Sequence, residues 1–313
     1  MITTPLITAS ILISLVGIMA NCLSLSYFLK RQTKGLGNRL LMLLNTCDLM
    51  VCVVYVPRAV MEGMYTYHSV GIGYIVINII YCICFDCTGF STCLVSVTRT
   101  IKVCRPFYSL KGVWIAASFV LYSICSTVRE ISGNCYYWSN EKTYFVTNYI
   151  PSTYHLTIFT SMTSCNVTAV FISTVITAYW LLRKSQVEGN ISKSNHHATI
   201  TILILSTVFC LLNVTTIVYL AFVLLGDFRV IHENGTISTS KALLYQIAWN
   251  VMICLNSTVN PIIYLTRKEE MRRHVLEIWR SLVDRFRAKS EGTGLQIIGL
   301  KETGRQESRP QEY

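Results

Sequence analysis

The sequence predicts an all-α membrane protein: a bundle of seven transmembrane helices followed by an amphipathic eighth helix at the inner interface. Apolar residues make up 52% of the 313 residues and charged residues only 14%, whereas roughly a quarter of the residues of soluble proteins are charged. A membrane span needs about 20 predominantly apolar residues. Seven segments qualify, at residues 6–29, 40–64, 72–104, 112–131, 150–182, 197–225 and 240–265.

The positions of Lys and Arg predict the orientation, because basic residues concentrate in cytoplasmic loops. The connections after the first, third and fifth spans are basic, whereas the others are balanced, as where Arg129 precedes Glu130. The basic residues are Lys30, Arg31, Lys34, Arg39, Lys102, Arg105, Lys111, Arg183, Lys184 and Lys193. We therefore predict a multi-pass plasma-membrane protein with an extracellular N-terminus and a cytoplasmic C-terminus. The net charge of +11 lies between spans and in the tail, so nucleic acid is not an expected partner.

Four regions follow from this pattern. They are a short extracellular N-terminus (residues 1–5), the transmembrane domain (6–265), an amphipathic interfacial helix (266–287) and a disordered cytoplasmic tail (288–313). In the third region apolar residues recur at helical spacing among arginines, which is typical of a helix lying on a membrane surface. Asn234 begins an Asn-Gly-Thr sequon on the predicted outer side and is a candidate glycosylation acceptor.

Polar residues inside the first four spans are candidate functional positions. Asn21 lies in the first span and Asp48 in the second, and an amide or carboxylate inside a bilayer needs partners from other helices. Asp86 falls off the predicted inward face of the third span and is expected to be a protonated acid bonded to a Ser or Thr. The fourth span is predicted to end at residue 131 and to lead into a loop, residues 132–148, that holds Cys135.

The third and seventh spans are predicted to supply the centre of the bundle. At 100° per residue, Tyr81, Phe85, Thr88 and Arg99 share one face of the third span, which would point to the bundle axis. Pro261 lies inside the seventh span and frees a carbonyl oxygen one turn earlier. A membrane helix tolerates this only where a neighbouring helix, a hydroxyl group or water satisfies that oxygen. We therefore predict a polar seam between the seventh span and the polar residues of the first two.

The order of these motifs resembles the rhodopsin-like (class A) G-protein-coupled receptors over nearly the whole chain. The run Asn260-Pro261-Ile262-Ile263-Tyr264 matches the family's seventh-helix Asn-Pro-x-x-Tyr. Markers of the first, second, third, fifth and sixth helices are matched, in that order, by Asn21, Asp48, Arg99, Tyr179 and Phe209.

The resemblance implies a receptor that binds an extracellular ligand within the helices and activates heterotrimeric G proteins by opening a cytoplasmic cleft. Arrestin is a further candidate partner. The activation switch it implies comprises Arg99, Tyr179, Phe209, Asn213, Pro261 and Tyr264. The resemblance also implies an allosteric sodium ion, held with water by Asp48, Thr88, Asn256, Ser257 and Asn260. A buried carboxylate with neutral oxygen donors suits such a hard cation, and no other cofactor is expected.

The sequence departs from the family at the third helix. Thr98 and Thr100 replace the acid and the tyrosine that flank the family's arginine. An ion pair of that kind contributes about 1 kcal/mol, so we expect raised basal signalling. Tyr74 stands where most members carry a cysteine, and Cys135 is therefore either free or bridged to Cys82.

The expected ligand pocket is a mixture of apolar and amide side chains. By helical position it is lined by Arg58, Tyr81, Phe85, Asn213, Asn250 and Cys254. Tyr81 stands where aminergic receptors carry an aspartate, and Cys254 where opsins carry the retinal lysine, so neither a biogenic amine nor retinal is expected. A short peptide or a small lipid-like molecule would suit this lining. Arg58 pairs either with an acidic ligand group or with Glu62, one turn on.

Two other classes of function compete with this interpretation. A seven-span transporter would be expected to show internal repeats, and the sequence contains none. A receptor-fold protein that does not couple to G proteins is suggested by the altered residues beside Arg99. No paired catalytic constellation or phosphate-binding loop is present, so an enzyme is not expected.

Overall fold

The computed structural model describes residues 3–30, 35–64, 72–105, 107–108, 111–141, 153–188, 193–224 and 238–285, and every regular element within these ranges is a helix. The long helices are α1 (Thr3–Lys30), α2 (Leu36–Met64), α3 (Ile72–Cys104), α4 (Gly112–Glu141), α5 (Thr153–Glu188), α6 (Lys193–Leu224) and α7 (Ser238–Arg267). Helix α8 (residues 269–285) follows a break at Lys268.

Six helices within the described ranges, α1 to α6, are long and apolar enough to cross a membrane. The chain therefore has the architecture of a multi-pass membrane protein. The seventh predicted span, residues 240–265, falls within α7, which is not one of those six. Among the side chains described on α7, those of Asn250, Asn256 and Asn260 are at most 2% exposed. These three asparagines of α7 therefore face protein rather than the surroundings.

Helix α3 has the most neighbours among these helices. Consecutive helices pack against one another from α1 to α7, and α7 packs back against α1 and α2. Helix α3 also contacts α5 and α6 in addition to α2 and α4. Side chains on several faces of α3 are consequently enclosed, which places its polar residues where they can link helices.

The predicted end of the fourth span, residue 131, agrees with the candidate membrane span Gly112–Ser132, whereas the prediction of a loop directly after it is wrong. Helix α4 continues to Glu141, so the predicted loop is helical over residues 132–141. Arg129 and Glu130, interpreted from sequence as balanced loop charges, are 6% and 1% exposed. They face partners inside the helical assembly, and they therefore carry no information on orientation.

Helix α8 belongs to a unit of its own, Lys268–Tyr313. It starts where the Met271 amide donates to the Lys268 carbonyl oxygen at 3.0 Å. Arg273 donates to the Glu269 carboxylate one turn earlier at 2.6 Å, and this hydrogen bond lowers the pKa of that carboxyl group. Leu276, Trp279 and Leu282 are exposed on the same helix, which agrees with an amphipathic helix.

Some sequence predictions fall outside the described part of the chain. They concern the glycosylation acceptor Asn234, the tail from residue 288 and the first two residues of the N-terminal segment. The side chains of Cys135 and Glu62 also lie outside it. Predictions for these residues stay predictions.

Candidate functional site

The polar seam predicted between α1, α2 and α7 is present in the interior. The Asn260 amide donates to Asp48 Oδ2 at 2.7 Å, and the two residues are 1% and 0% exposed. This hydrogen bond joins α2 to α7 directly beside Pro261. The carboxylate and the amide are therefore held together within the helices, as the polar character of both segments predicts.

Asn21 satisfies the carbonyl oxygen that Pro261 frees. Pro261 has no amide hydrogen to give to Ser257, four residues earlier. The side-chain amide of Asn21 donates to that Ser257 carbonyl oxygen at 3.0 Å and to the Gly17 carbonyl oxygen of its own helix at 2.9 Å. The prediction that a neighbouring helix supplies this partner is confirmed, and the partner is α1.

Helix α1 can approach α7 so closely because Gly17 has no side chain. A Cβ atom at this position would lie 2.5 Å from Thr258 Oγ1 and 2.6 Å from Cys52 Sγ. The Thr258 hydroxyl donates to the Ile13 carbonyl oxygen at 3.2 Å. The small residue thus allows α1, α2 and α7 to meet at the level of Asn21.

Three buried oxygen atoms at Asp48 have no hydrogen-bond partner among the described residues. They are Asp48 Oδ1, Thr88 Oγ1 and Ser257 Oγ, and Asn256 Oδ1 on the same helix as Ser257 also lacks one. The Thr88 and Ser257 hydroxyls lie beside the Asp48 carboxylate but outside the strict geometry of a hydrogen bond. One carboxylate oxygen surrounded by neutral oxygens is a donor set that suits a hard cation with retained water.

A second polar site lies at the far end of α3, around Arg99. The Arg99 guanidinium donates to the Thr199 hydroxyl of α6, through Nε at 3.0 Å and through its terminal nitrogen. The Ser96 and Ser206 hydroxyl oxygens are 2.7 Å apart across the same two helices. These contacts form what we call the hydroxyl latch, which consists of Arg99, Thr199, Ser96 and Ser206.

Thr98 and Thr100, the two threonines beside Arg99, are not part of the hydroxyl latch. Thr100 contacts α5, where its hydroxyl oxygen is 2.8 Å from that of Thr177, and Thr98 is 4% exposed. Position 100 therefore links α3 to α5 rather than to the arginine. The sequence pattern singled out Arg99 but did not identify Thr199 as its partner.

The residues of the implied activation switch do not all lie in the interior. Tyr264 is fully buried and packs edge-to-face against Phe28, with ring centroids 6.5 Å apart. Phe209 packs against Val167 and Val170, and the Asn213 amide donates to the Phe209 carbonyl oxygen at 2.9 Å. By contrast, the Tyr179 side chain is 58% exposed on α5. The structure does not bring Tyr179 into the interior with Tyr264.

The expected ligand-pocket residues meet between α2, α3 and α7, at the end of α3 away from Arg99. Tyr81, Phe85 and Cys254 share one buried cluster with Tyr55. Arg58 donates to the Asn250 side-chain oxygen at 2.8 Å and stacks on Tyr81, with its guanidinium carbon 4.5 Å from the ring centroid. Asn213 of α6 bonds within its own helix instead.

Sequence reasoning missed a buried charged cluster between α3 and α4. Arg129 forms ion pairs with Asp86 and Glu130, and the Ser126 hydroxyl also donates to Asp86. The expectation that Asp86 bonds a Ser is confirmed, but the expectation of a protonated acid is wrong, because Asp86 forms an ion pair with Arg129. The Arg129 guanidinium carbon lies 4.8 Å from the centroid of the Phe159 ring. The cluster therefore links α3, α4 and α5.

No protein-family model matches this chain, and no curated protein matches it.

Proposed function

We propose that this protein is a rhodopsin-like G-protein-coupled receptor that binds an extracellular ligand within its helices and activates heterotrimeric G proteins. The observation that carries the proposal is the seam in which Asn260 bonds Asp48 while Asn21 bonds the carbonyl oxygen freed by Pro261. Three residues that match family markers are thus joined across α1, α2 and α7. A set of isolated sequence matches would not be expected to meet in this way.

In this proposal α7 is the seventh span and α8 lies at the inner membrane interface of the plasma membrane. The burial of Asn250, Asn256 and Asn260 supports α7 as the seventh span, since a helix whose polar face is turned to protein can lie in a membrane. The exposed apolar residues of α8 support its place at the membrane interface. The N-terminus would be extracellular, and the Arg99 end of α3 would face the cytoplasm.

Activation would separate α6 from α3 at the hydroxyl latch and expose Arg99 to the G protein. In the structure the latch joins these helices through the hydrogen bond from Arg99 to the Thr199 hydroxyl and through the contact between the Ser96 and Ser206 hydroxyls. A ligand at the other end of α3 shifts the population towards the open form only by its differential affinity for that form. Because the latch contains no carboxylate, the closed form should be held less firmly than in receptors with an ion pair there.

Replacing Arg99 with alanine tests the proposed activation of G proteins. A membrane preparation of the full chain is expected to accelerate nucleotide exchange on at least one member of a panel of heterotrimeric G proteins without ligand. Arg99→Ala should abolish this acceleration because it removes the cation that would contact the G protein. Arg39→Ala, at an exposed position of α2, should preserve it. No acceleration on any G protein would favour a receptor-fold protein that does not couple, and acceleration that survives Arg99→Ala would contradict the proposed role of Arg99.

A sodium ion would stabilise the closed form if the oxygens around Asp48 hold it. These residues fit the ion, because buried oxygens of Asp48, Thr88 and Ser257 lack hydrogen-bond partners among the described residues. Sodium at about ten times its Kd should raise Tm by about 2–4 °C relative to potassium. Asp48→Asn should remove this difference, and Asp284→Asn on the exposed side of α8 should keep it. A sodium effect that survives Asp48→Asn would count against this site.

A further inference from the structure

Arg58 is the centre of a buried polar cluster at the end of α3 away from the latch. It is 2% exposed. Its Nε donates to the Asn78 side-chain oxygen at 3.0 Å, and a terminal nitrogen donates to the Asn250 side-chain oxygen at 2.8 Å. The guanidinium also stacks on Tyr81. Helices α3 and α7 thus hold a cation from α2 in a fixed orientation.

The same cluster contains two buried donor groups without a hydrogen bond among the described residues. Asn250 is fully buried, and its Nδ2 has no partner among the described residues. Tyr81 is 1% exposed, and its hydroxyl group lies beside the Cys254 thiol but outside the strict geometry of a hydrogen bond. The orientation of the Asn250 amide is set by its neighbour, because the atom that faces the Arg58 donor must be the oxygen. The amide hydrogens of Asn250 therefore point elsewhere and are available to an acceptor.

The polar groups around Arg58 are consequently complementary to an anion. Both amide oxygens already accept from Arg58, so the unbonded groups are the Asn250 amide hydrogens and the Tyr81 hydroxyl. A buried donor without an acceptor destabilises the structure, and a carboxylate is the acceptor that guanidinium and amide groups bind most strongly. A cationic ligand group would meet the positive charge of Arg58 instead.

The side chains packed around Tyr81 indicate the chemistry of the rest of such a ligand. The cluster of Tyr81 and Cys254 includes Phe85 and Phe159, with Trp249 packed against it. The Trp249 ring is edge-on to Phe85 and to Phe159, with centroid distances of 6.3 and 6.0 Å. Aromatic edges and faces of this kind pack well against another ring.

We infer that Arg58, Asn250 and Tyr81 bind the carboxylate of a small organic acid whose body is aromatic. This inference rests on the proposed receptor function, because it names the chemistry of the ligand that would enter between α2, α3 and α7. The cation and the two unbonded donors bind the carboxylate oxygens, and the aromatic side chains contact the body.

The experiment uses three ring compounds of nearly equal shape: benzoate, the neutral benzamide and the cationic benzamidine. Thermal unfolding of the full chain in detergent is followed with a thiol-reactive dye, since Cys52, Cys87 and Cys254 are buried free thiols. Benzoate at about ten times its Kd should raise Tm by about 2–4 °C. Benzamide and benzamidine should leave Tm unchanged.

Two variants distinguish recognition of the anion from general stabilisation. Arg58→Gln should lose the benzoate shift, whereas Arg39→Ala should keep it. Arg58→Glu should reverse the preference, so that benzamidine and not benzoate raises Tm. Because a gain of benzamidine binding requires a folded protein, the reversal cannot come from unfolding. If Arg58→Glu does not fold, Tyr81→Phe with a reduced benzoate shift supports the same site.

Two results would overturn the inference. One is a Tm that benzoate and benzamide raise equally in the unchanged chain, or that neither raises. The other is a benzoate shift that survives Arg58→Gln. The assay contains no G protein, so its outcome is independent of the nucleotide-exchange experiment, and each proposal can fail alone.

Discussion

Replacing Arg129 with methionine is expected to destabilise the protein by about 3–5 kcal/mol, because it leaves buried carboxylates without their cation. Asp86 and Glu130 both pair with Arg129, and all three residues are at most 6% exposed. The substitution also removes the guanidinium that stacks on Phe159. The measurement is thermal unfolding in detergent, together with the yield of folded protein.

Two controls separate the loss of the ion pairs from a general sensitivity to arginine replacement. Arg39→Ala, at an exposed position, should change stability by no more than about 0.5 kcal/mol. The triple variant Asp86→Asn, Arg129→Met and Glu130→Gln removes every charge of the cluster and should recover most of the lost stability, since buried ion pairs can often be replaced by neutral groups. If Arg129→Met is as stable as Arg39→Ala, the cluster has been assigned wrongly.

The second large effect is expected at the hydroxyl latch. Thr199→Ala removes the acceptor that the Arg99 guanidinium uses on α6, and a hydrogen bond to a charged group contributes about 1.5–3 kcal/mol. A loss of only 1–2 kcal/mol changes an equilibrium about 5- to 30-fold. Ligand-free nucleotide exchange should therefore rise. Its upper limit is the rate at which nearly all of the protein is in the open form.

Thr199→Glu should have the opposite effect, because a carboxylate facing Arg99 would turn a neutral contact into an ion pair. Ligand-free exchange should fall below that of the unchanged chain. Thr46→Ala is the matched control, since the Thr46 hydroxyl is exposed and bonds only the Met42 carbonyl oxygen of its own helix at 2.9 Å. Exchange that is equal in Thr199→Ala and Thr199→Glu would show that the latch does not set the resting state.

The central seam could be predicted from sequence because it follows from backbone chemistry. A proline inside an apolar helix frees one carbonyl oxygen, and a membrane supplies no water to satisfy it. The sequence therefore predicted that a neighbouring helix, a hydroxyl group or water would satisfy it, and Asn21 was the candidate amide of the first span. The bounds of α1 to α3 followed from the lengths of the apolar runs for the same reason.

The buried charged cluster of Asp86, Arg129 and Glu130 was not predicted, because Arg129 and Glu130 lie near the end of an apolar run. Charged residues at the end of an apolar run were interpreted as loop residues, but α4 continues to Glu141 and buries Arg129 and Glu130. A buried cation compensates for a buried acid, and this compensation depends on which faces of α3 and α4 meet. A sequence signal did exist, since Ser126 and Arg129 are three residues apart and share a helix face.

Thr199, the partner of Arg99 on α6, also belongs to a pattern that is visible in the sequence. Thr199, Ser206 and Asn213 recur every seven residues in an apolar helix and are all at most 3% exposed, which is the spacing of one helix face. Which of them meets Arg99 depends on the depth of α6 against α3. The exposure of Tyr179 likewise depends on the rotation of α5, which the sequence pattern does not define.

The central claim is that α6 must move away from α3 for the protein to signal, and a reversible crosslink tests it most directly. The Ser96 and Ser206 hydroxyl oxygens are 2.7 Å apart, so cysteines at both positions would place two sulfurs within bonding reach. The measurement is G-protein nucleotide exchange by the variant Ser96→Cys with Ser206→Cys, before and after oxidation. The crosslink is verified by mass spectrometry, and the two single variants control for the native cysteines.

Oxidation is expected to abolish exchange by the double variant, reduction should restore it, and neither treatment should affect the single variants. A fully crosslinked protein that still accelerates exchange as fast as its reduced form would contradict the claim that opening between α3 and α6 carries the signal.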